Sequence, residues 1–204
     1  MSTIKSNQLA LTANGAATYT LPQTDGSSGQ VLQPNGSGVL SWVSLPSGSP
    51  MNQISTYRIN TGELMEGSND VISSNWEESD EANYDRTGTA LTHSSGVWTF
   101  PTTGKYLVHF SFCIFVGTSD DYGANILLET TSDNSNYAIN TIARTAGSLN
   151  GEFSTTSGHS FLDIVNTSTH KMRFKTDSFA GNTRLRGHND ESMSYFTAIR
   201  VGDT

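Results

Sequence analysis

Acidic residues are the first side chains of this 204-residue sequence whose type and spacing could do chemistry. They gather in three places, which are residues 77–81, Asp120 with Asp121, and Asp190 with Glu191. Paired carboxylates act as acid and base in glycosidases and bind calcium. None of these spacings matches an EF-hand loop. The acidic residues are therefore more simply explained as solvated charges on loops. The best candidate for a structural calcium site is Asp120 with Asp121, because Gly117 and Gly123 allow a tight loop.

The histidines and the single cysteine form no catalytic pattern. None of the five histidines pairs at metal-ligand spacing, and the sequence has no Walker loop, His-Glu-x-x-His or Gly-x-Ser-x-Gly. We interpret His109 as a core or interface histidine, and Cys113 as a small buried side chain. One cysteine forms neither an intrachain disulfide nor a cysteine zinc site. The sequence therefore predicts a protein that is not an enzyme and requires no cofactor.

Loops that combine aromatic and polar side chains are the candidate recognition surface. A tyrosine among small polar residues supplies flat contact area at low entropic cost, and aromatic faces beside Asn or Asp suit sugars. The candidates are Tyr84 in loop 76–86, Asp120, Asp121 and Tyr122 in loop 117–123, Asn134 and Asn136 in loop 132–137, and Arg184, Arg186 and His188 in loop 180–193. For loop 180–193, the sequence is equally compatible with recognition and with an intersubunit salt bridge.

Composition indicates the kind of elements that carry these loops. The chain is 34% hydrophobic and only 15% charged, and it is rich in Ser, Thr, Asn and Gly, which favours turn-rich β structure over helix. The net charge of −8 argues against nucleic-acid binding. No apolar run approaches a membrane span, and the N-terminus lacks the apolar region of a signal peptide. We expect no membrane insertion and no secretion by the usual route.

The clearest predicted strand covers residues 105–116, where apolar side chains alternate on both faces. One face is then covered by an opposing sheet, and the other by a neighbouring subunit. Further strand-like runs are 53–59, 90–93, 96–100, 124–130, 138–144, 160–165, 171–176 and 194–201. This number of short strands predicts a two-sheet antiparallel sandwich.

The chain divides into an N-terminal segment (1–44), a linker (45–52) and a head (53–204). The first fifty residues contain only two charged side chains, Lys5 and Asp25. Three turn-forming pairs recur there, at Asn14-Gly15, Asp25-Gly26 and Asn35-Gly36. So short a segment cannot bury a core alone, so it must associate with copies of itself or with a partner.

The N-terminal segment resembles a motif of bacteriophage tail-fibre and appendage proteins, notably those of cyanobacterial phages. The residues that carry the resemblance are Leu21-Pro22, Asp25-Gly26, Gly29-Gln30-Val31-Leu32, Gly36, Gly38, Leu40 and Trp42. The resemblance implies a trimeric stalk or a virion-attachment segment. Regularly placed Val31, Leu32, Leu40 and Trp42 are the expected trimer or core contacts, since a plain linker has no need of them.

The head resembles the complement-head and tumour-necrosis-factor superfamily of trimeric jelly rolls. The specific residues are Ser95-Gly96, Trp98, Pro101, Gly104, Tyr106, Val108 and Phe110, and residues 83–85 and 194–199 agree with the pattern. The resemblance implies a homotrimeric jelly roll. Trp98, Tyr106, Phe110 and Phe112 are the expected core or trimer residues. Arg200 departs from the aromatic and aliphatic ending of the superfamily.

Together the two resemblances predict a phage structural protein of the virion, on its tail or capsid surface. It would be a homotrimeric tail fibre or appendage whose N-terminus binds other virion proteins and whose jelly-roll head binds a host cell-surface glycan or protein. The alternative is a capsid decoration protein or head fibre anchored through its N-terminal segment. A depolymerase ranks below both, because the chain is short for a polysaccharide groove.

Overall fold

The computed structural model describes residues 8–10, 18–44, 51–64, 67–117, 120–121, 123–145 and 149–204. The chain forms two compact units, Met1–Ser49 and Pro50–Thr204. All regular elements in the described ranges are β strands, which confirms the predicted all-β class. No helix able to cross a membrane occurs in this described part.

The N-terminal unit consists of two antiparallel strand pairs. Strand β1 (Gln8–Ala10) pairs with β2 (Thr18–Thr20), and β3 (Gln30–Pro34) pairs with β4 (Leu40–Ser44). In the β3–β4 turn, the Asn35 side-chain oxygen accepts hydrogen bonds from the backbone amides of Ser37 and Val39. Such an Asn-centred turn is the chemistry that Asn-Gly pairs favour. The predicted turn at Asn14-Gly15 lies outside the described residues.

The N-terminal hairpin leaves apolar side chains in solvent. Val31 and Leu32 are 39% and 40% exposed, whereas Leu40 and Trp42 are half-buried. The Trp42 indole donates a hydrogen bond to the Thr24 carbonyl oxygen at 2.9 Å. This small unit therefore buries only part of its apolar surface, as expected for fewer than fifty residues.

The second unit is a two-sheet antiparallel sandwich. Its strands are β5 (Ile54–Ile59), β6 (Trp76–Glu78), β7 (Thr92–Ser94), β8 (Val97–Thr99), β9 (Gly104–Phe115), β10 (Asn125–Thr131), β11 (Ala138–Arg144), β12 (Phe153–Ile164), β13 (Lys171–Asp177), β14 (Arg184–Arg186) and β15 (Tyr195–Gly202). The five-stranded sheet has the order β11-β10-β13-β8-β7. The six-stranded sheet has the order β12-β9-β15-β5-β6, with β14 pairing β9 beside β15. The predicted sandwich is thereby confirmed.

Aromatic side chains fill the space between the sheets. Trp98, Tyr106, Phe110 and Phe112 are fully buried there. Trp98 meets Phe196 edge to face, with ring centroids 4.7 Å apart. Such pairs contribute about 0.5–1.5 kcal/mol each beyond the burial of their area.

Backbone geometry in the β7–β8 hairpin explains why Ser95-Gly96, a pair from the jelly-roll motif, occurs at this position. Both residues have positive φ, 48° and 77°, as a two-residue primed turn requires. A Cβ atom on Gly96 would lie 2.3 Å from the Ile72 carbonyl oxygen. Only glycine therefore fits the second turn position.

Three features of the head differ from the sequence predictions. Strand β6 lies inside predicted loop 76–86, and β14 lies inside predicted loop 180–193. Strand β12 begins at Phe153, seven residues before the predicted start, and pairs with β9 along its whole length. The added stretch is rich in Ser and Thr, so it shows no apolar alternation, and its β structure depends on pairing with a neighbour.

Candidate functional site

The outward surface of the six-stranded sheet is unusually apolar for a side that no second sheet covers. We define the association face as the outward apolar side chains of this sheet, which are Leu107, Phe115, Phe153, Phe161, Tyr195 and Ile199. They come from three neighbouring strands, β12, β9 and β15, in antiparallel register. Phe153 and Phe161 are 57% and 68% exposed, and the other four are half-buried. An apolar patch of this kind marks a contact surface.

One end of the association face combines aromatic rings with cations. The rings of Phe115 and Phe153 lie 5.0 Å apart. The guanidinium of Arg184 lies 5.2 Å from the Phe115 ring centre, and that of Arg186 lies 5.6 Å from the Phe153 ring centre. Both arginines pair with the Glu63 carboxylate, Arg184 at 2.5 Å. The predicted recognition arginines thus form ion pairs within the chain and border the association face.

Two histidines occupy the middle of the same sheet surface. His109 on β9 and His159 on β12 are direct cross-strand partners, and both are exposed. His109 is therefore not a core histidine in the single chain. The Tyr195 ring lies 6.3 Å from that of His109. Cys113, by contrast, is buried on this strand, and its burial raises the pKa of the thiol.

A polar cleft of about 300 Å³ opens where the edges of the two sheets meet, beside β11, β12 and the β10–β11 turn. Its lining includes Asn136, Asn140, Phe161, Asp163 and His170. The Phe161 side chain belongs to the edge strand β12 and is 68% exposed. The volume is at the lower end of the range of small-molecule sites. This cleft is a candidate binding site.

Asp133 shapes the turn at the rim of this cleft. Its carboxylate accepts hydrogen bonds from the backbone amides of Ser135 and Asn136, the Asn136 side-chain amide and the Thr131 hydroxyl. These bonds, the one from the Asn136 backbone above all, hold the pKa of Asp133 well below its ordinary value. Asn134 stands exposed at the tip of the turn with φ of 59°. The predicted loop 132–137 is thus a preorganised turn.

Hydrogen-bonding groups inside the cleft are only partly used by the protein. The Asn140 side-chain oxygen accepts from the hydroxyls of Thr141 and Ser160, but its amide nitrogen donates to none of the described residues. Asp163 is exposed on the outward side of β12, where its direct cross-strand partner is Lys105. The ammonium group of Lys171 donates to Thr99 Oγ1 and to the Thr167 carbonyl, at 2.9 and 2.7 Å. Desolvation lowers its pKa.

Asp121 lies inside the protein. It is only 3% exposed, and its carboxylate accepts hydrogen bonds from the Gly123 amide, the Ala180 amide and the Thr183 hydroxyl. The side chain therefore ties together the chain segments before β10 and before β14. Asp120 is exposed and accepts from the Asn150 amide at 2.9 Å. Tyr122 lies outside the described residues, and the described ones include no cluster of three metal-ligating side chains.

Tyr84 and His188 are half-buried and take part in local contacts. The Tyr84 hydroxyl accepts a hydrogen bond from the Thr56 amide at 2.8 Å, and burial raises its pKa. His188 Nδ1 accepts from the Asp190 amide at 3.1 Å. Of the candidate recognition residues that the structure describes, Asn136 alone lines the cleft, together with Ser132 of the same predicted loop.

Sequence reasoning missed Asn140, Phe161 and Asp163. All three lie in runs that were predicted to be strands, and recognition was sought in loops. Both runs end up as edge strands, which leaves their outward side chains in solvent. The one signal available was Phe161 alternating with buried Leu162 and Ile164, since it places a phenylalanine on the opposite face.

Comparison with solved structures identifies the sandwich. Eiger TNF from S. frugiperda matches with a TM-score of 0.55 at 14% identity, covering 74% of this chain and 93% of that chain. Murine APRIL, crystallised at pH 8.5, matches with a TM-score of 0.51 at 8% identity, covering 72% and 98%. No protein-family model and no curated protein matches the sequence. Identities this low show the fold alone, and the chain therefore contains a TNF-like jelly-roll domain.

Proposed function

We propose that the protein is a non-enzymatic, homotrimeric phage appendage of the virion whose jelly-roll head attaches to the host cell surface. The observation that carries this proposal is the association face. Its phenylalanine, leucine, isoleucine and tyrosine side chains lie on a sheet surface that the single chain leaves uncovered. Burying such a surface between identical subunits stabilises an oligomer by about 25 cal/mol per Å² of apolar area.

Three copies, rather than two, follow from the resemblance of the head to trimeric jelly rolls. The motif at residues 96–110 supports that resemblance, and the TNF-like sandwich supports it at the level of fold. A trimer presents three equal heads, so weak single contacts add up to firm attachment on a surface that repeats its receptor.

The phage assignment is supported by the N-terminal motif. Val31 and Leu32 in that motif are exposed on a hairpin whose own unit leaves them uncovered. Such a segment suits docking to another virion protein, which would leave the head free to reach the host. The same exposed hairpin favours a second candidate, a capsid decoration protein or head fibre for which the N-terminal segment is the functional end.

The solution mass tests the trimer directly. Light scattering should give a mass near 66 kDa for the full chain, three times 22.0 kDa, and a trimer also for residues 51–204. Phe153→Asp should return the full chain to a monomer, because it places a charge in the buried interface. Ile139→Asp is the matched control, since Ile139 is 52% exposed on the other sheet. A monomeric wild-type chain would overturn the proposal.

Binding assays separate the two candidate functions. The labelled full chain and the 51–204 head should both bind cells of one or more strains in a cyanobacterial panel, if the head is the attachment end. A decoration protein would instead bind purified capsids through residues 1–50, and it would do so with the head deleted. Capsid binding without any cell binding would therefore replace host attachment with decoration.

A further inference from the structure

We propose that His109 and His159 together bind a divalent transition-metal ion, with Zn²⁺ as the best match, on the outward surface of the six-stranded sheet. The two histidines are far apart in the sequence, but they are direct cross-strand partners on β9 and β12. The chelate itself needs only one chain. Its place between subunits rests on the proposed trimer, which would cover the association face.

The strand register brings the two imidazole rings together. His109 lies between the buried Val108 and Phe110, so it projects outward with His159, and both histidines are exposed. The Cβ atoms of directly opposed residues in an antiparallel pair lie about 4.5–5.5 Å apart. Two nitrogen ligands of one zinc ion, each bonded at about 2.0–2.1 Å, lie about 3.3 Å apart in tetrahedral geometry. Rotations of the two side chains can therefore bring one nitrogen of each ring to a shared ion.

The sheet holds the pair on a rigid support. Strand β9 pairs with β12 along its whole length on one side and with β15 on the other. Directly beneath the histidines, Val108 and Phe110 are completely buried in the core. Because the backbone under both rings is fixed by this pairing and packing, little order remains to be gained when an ion binds.

The neighbouring rows of this sheet surface favour a metal ion over a salt bridge. One adjacent row consists of Ser157, Ser111 and Tyr195, and the other consists of Phe161, Leu107 and Ile199. Neither row contains a carboxylate that could pair with a protonated histidine, or an ammonium or guanidinium group that would repel a metal ion. Imidazole nitrogen is a preferred ligand of Zn²⁺, Ni²⁺ and Cu²⁺. One shared ion would satisfy both rings at once on a surface that association buries.

Two imidazoles fill half of a tetrahedral zinc site. The described part of the chain contains no group of three metal-ligating side chains, so a single chain supplies only this half within those residues. In the proposed trimer the association face is covered, and the remaining coordination positions then face the neighbouring copy. An ion held in this way stabilises the assembly that binds it.

Isothermal titration calorimetry of the metal-free full chain with Zn²⁺, repeated with Ni²⁺, tests the inference. We expect saturable binding that His109→Ala and His159→Ala each weaken by about tenfold or more. Because the two rings act as one chelate, the double substitution should weaken binding hardly more than either single one. Zn²⁺ should also raise the unfolding temperature of the wild-type chain and leave that of the variants unchanged.

The matched control is His93→Ala. His93 is also exposed, but it lies on the other sheet and its cross-strand partner is Trp98. This substitution should leave metal binding unchanged. The inference is overturned if neither ion binds, or if His109→Ala and His159→Ala bind as the wild type does. A trimer that binds no metal would overturn only this inference, whereas a monomeric chain that binds the ion through both histidines would overturn only the trimer.

Discussion

At the scale of single residues, Arg58 is a charged side chain that needs several partners within the head. It is fully buried, and its guanidinium pairs with Glu77 at 2.8 Å, Glu81 at 2.7 Å and Asp80, and donates to the Asn189 carbonyl. These partners join β5, β6, the segment after β6 and the segment before β15. Close pairing with carboxylates is what makes the burial of this cation tolerable.

Arg58→Met should therefore lower the free energy of unfolding by about 1–3 kcal/mol, because the partly exposed carboxylates of Glu77, Asp80 and Glu81 lose their charged hydrogen-bond donor. Denaturant unfolding monitored by tryptophan fluorescence measures the change. Arg86→Met is the matched control, since the Arg86–Glu78 pair is partly exposed and should contribute less than about 1 kcal/mol. Equal effects of the two substitutions would contradict this account.

The same cluster predicts a dependence of stability on pH. Partial desolvation of Glu81 favours its protonated form, but hydrogen bonds from its own backbone amide, Ser192 and Arg58 outweigh it and lower the pKa of Glu81 below its ordinary 4.5. A carboxyl group whose pKa is lowered by folding stabilises the protein above pH 4.5, and this contribution is lost as the pH falls below that value.

Replacing Glu81 with Gln should thus destabilise the head at pH 7 and matter progressively less as the pH falls below 4.5. Unfolding free energies of both proteins across this range test the prediction. If the difference between them stays constant as the pH falls, then ionised Glu81 is not the source of the stability. Asp85→Asn, at an exposed position, serves as the control and should change little.

At the scale of elements, β12 is the strand on which the fold and the candidate site both depend. Its inward side includes Leu162 and Ile164 in the core, and its outward side carries Phe153 at one end and Phe161 at the other. Gly158, in the middle of the strand, faces the Phe110 ring. A Cβ atom there would lie 2.7 Å from Phe110 Cζ.

Gly158→Ala should therefore destabilise the head by about 1–3 kcal/mol through overpacking, although alanine has the better intrinsic propensity to be ordered. Thermal unfolding of the 51–204 head measures the loss, with Ser157→Ala as the adjacent exposed control. If the overpacking explanation holds, the double substitution Gly158→Ala with Phe110→Leu should recover part of the lost stability. A neutral Gly158→Ala would contradict the close contact.

A comparison of the predicted with the observed strands shows which elements the sequence pattern could predict. Strand β9 was predictable, because the alternation of Tyr106, Val108, Phe110 and Phe112 appears in the sequence. Strands β6 and β14 have only three residues each, so no periodicity could develop. Their β structure comes from pairing with β5 and β9. The first half of β12 is polar and was missed for the same reason.

At the scale of the whole molecule, the excess of acidic residues bears on the proposed attachment to a host cell. Each chain carries a net charge of −8, so a trimer carries −24. A bacterial surface is itself anionic, and the repulsion extends about 30 Å at 0.01 M salt but only about 8 Å at 0.15 M.

Attachment to cells should therefore increase several-fold when the salt concentration is raised from 10 to 150 mM. Flow cytometry with the fluorescently labelled full chain measures this. Stronger attachment at the lower salt concentration would show that a local basic contact outweighs the net charge.

Composition and alternation alone were enough to predict an all-β sandwich, because periodic burial and turn chemistry are local properties of the chain. The resemblance of residues 96–110 to the superfamily of trimeric jelly rolls was enough to predict its jelly-roll type. The candidate site was not predictable in this way. Asn140, Phe161 and Asp163 are far apart in sequence or hidden in strand patterns, and they meet only because β11 and β12 are the edge strands of opposing sheets. Asp121 was expected at the surface because it lies in a predicted loop, but the packing of two distant segments buries it. Which side chains are left free to bind is a property of the completed packing, and only the tertiary structure decides it.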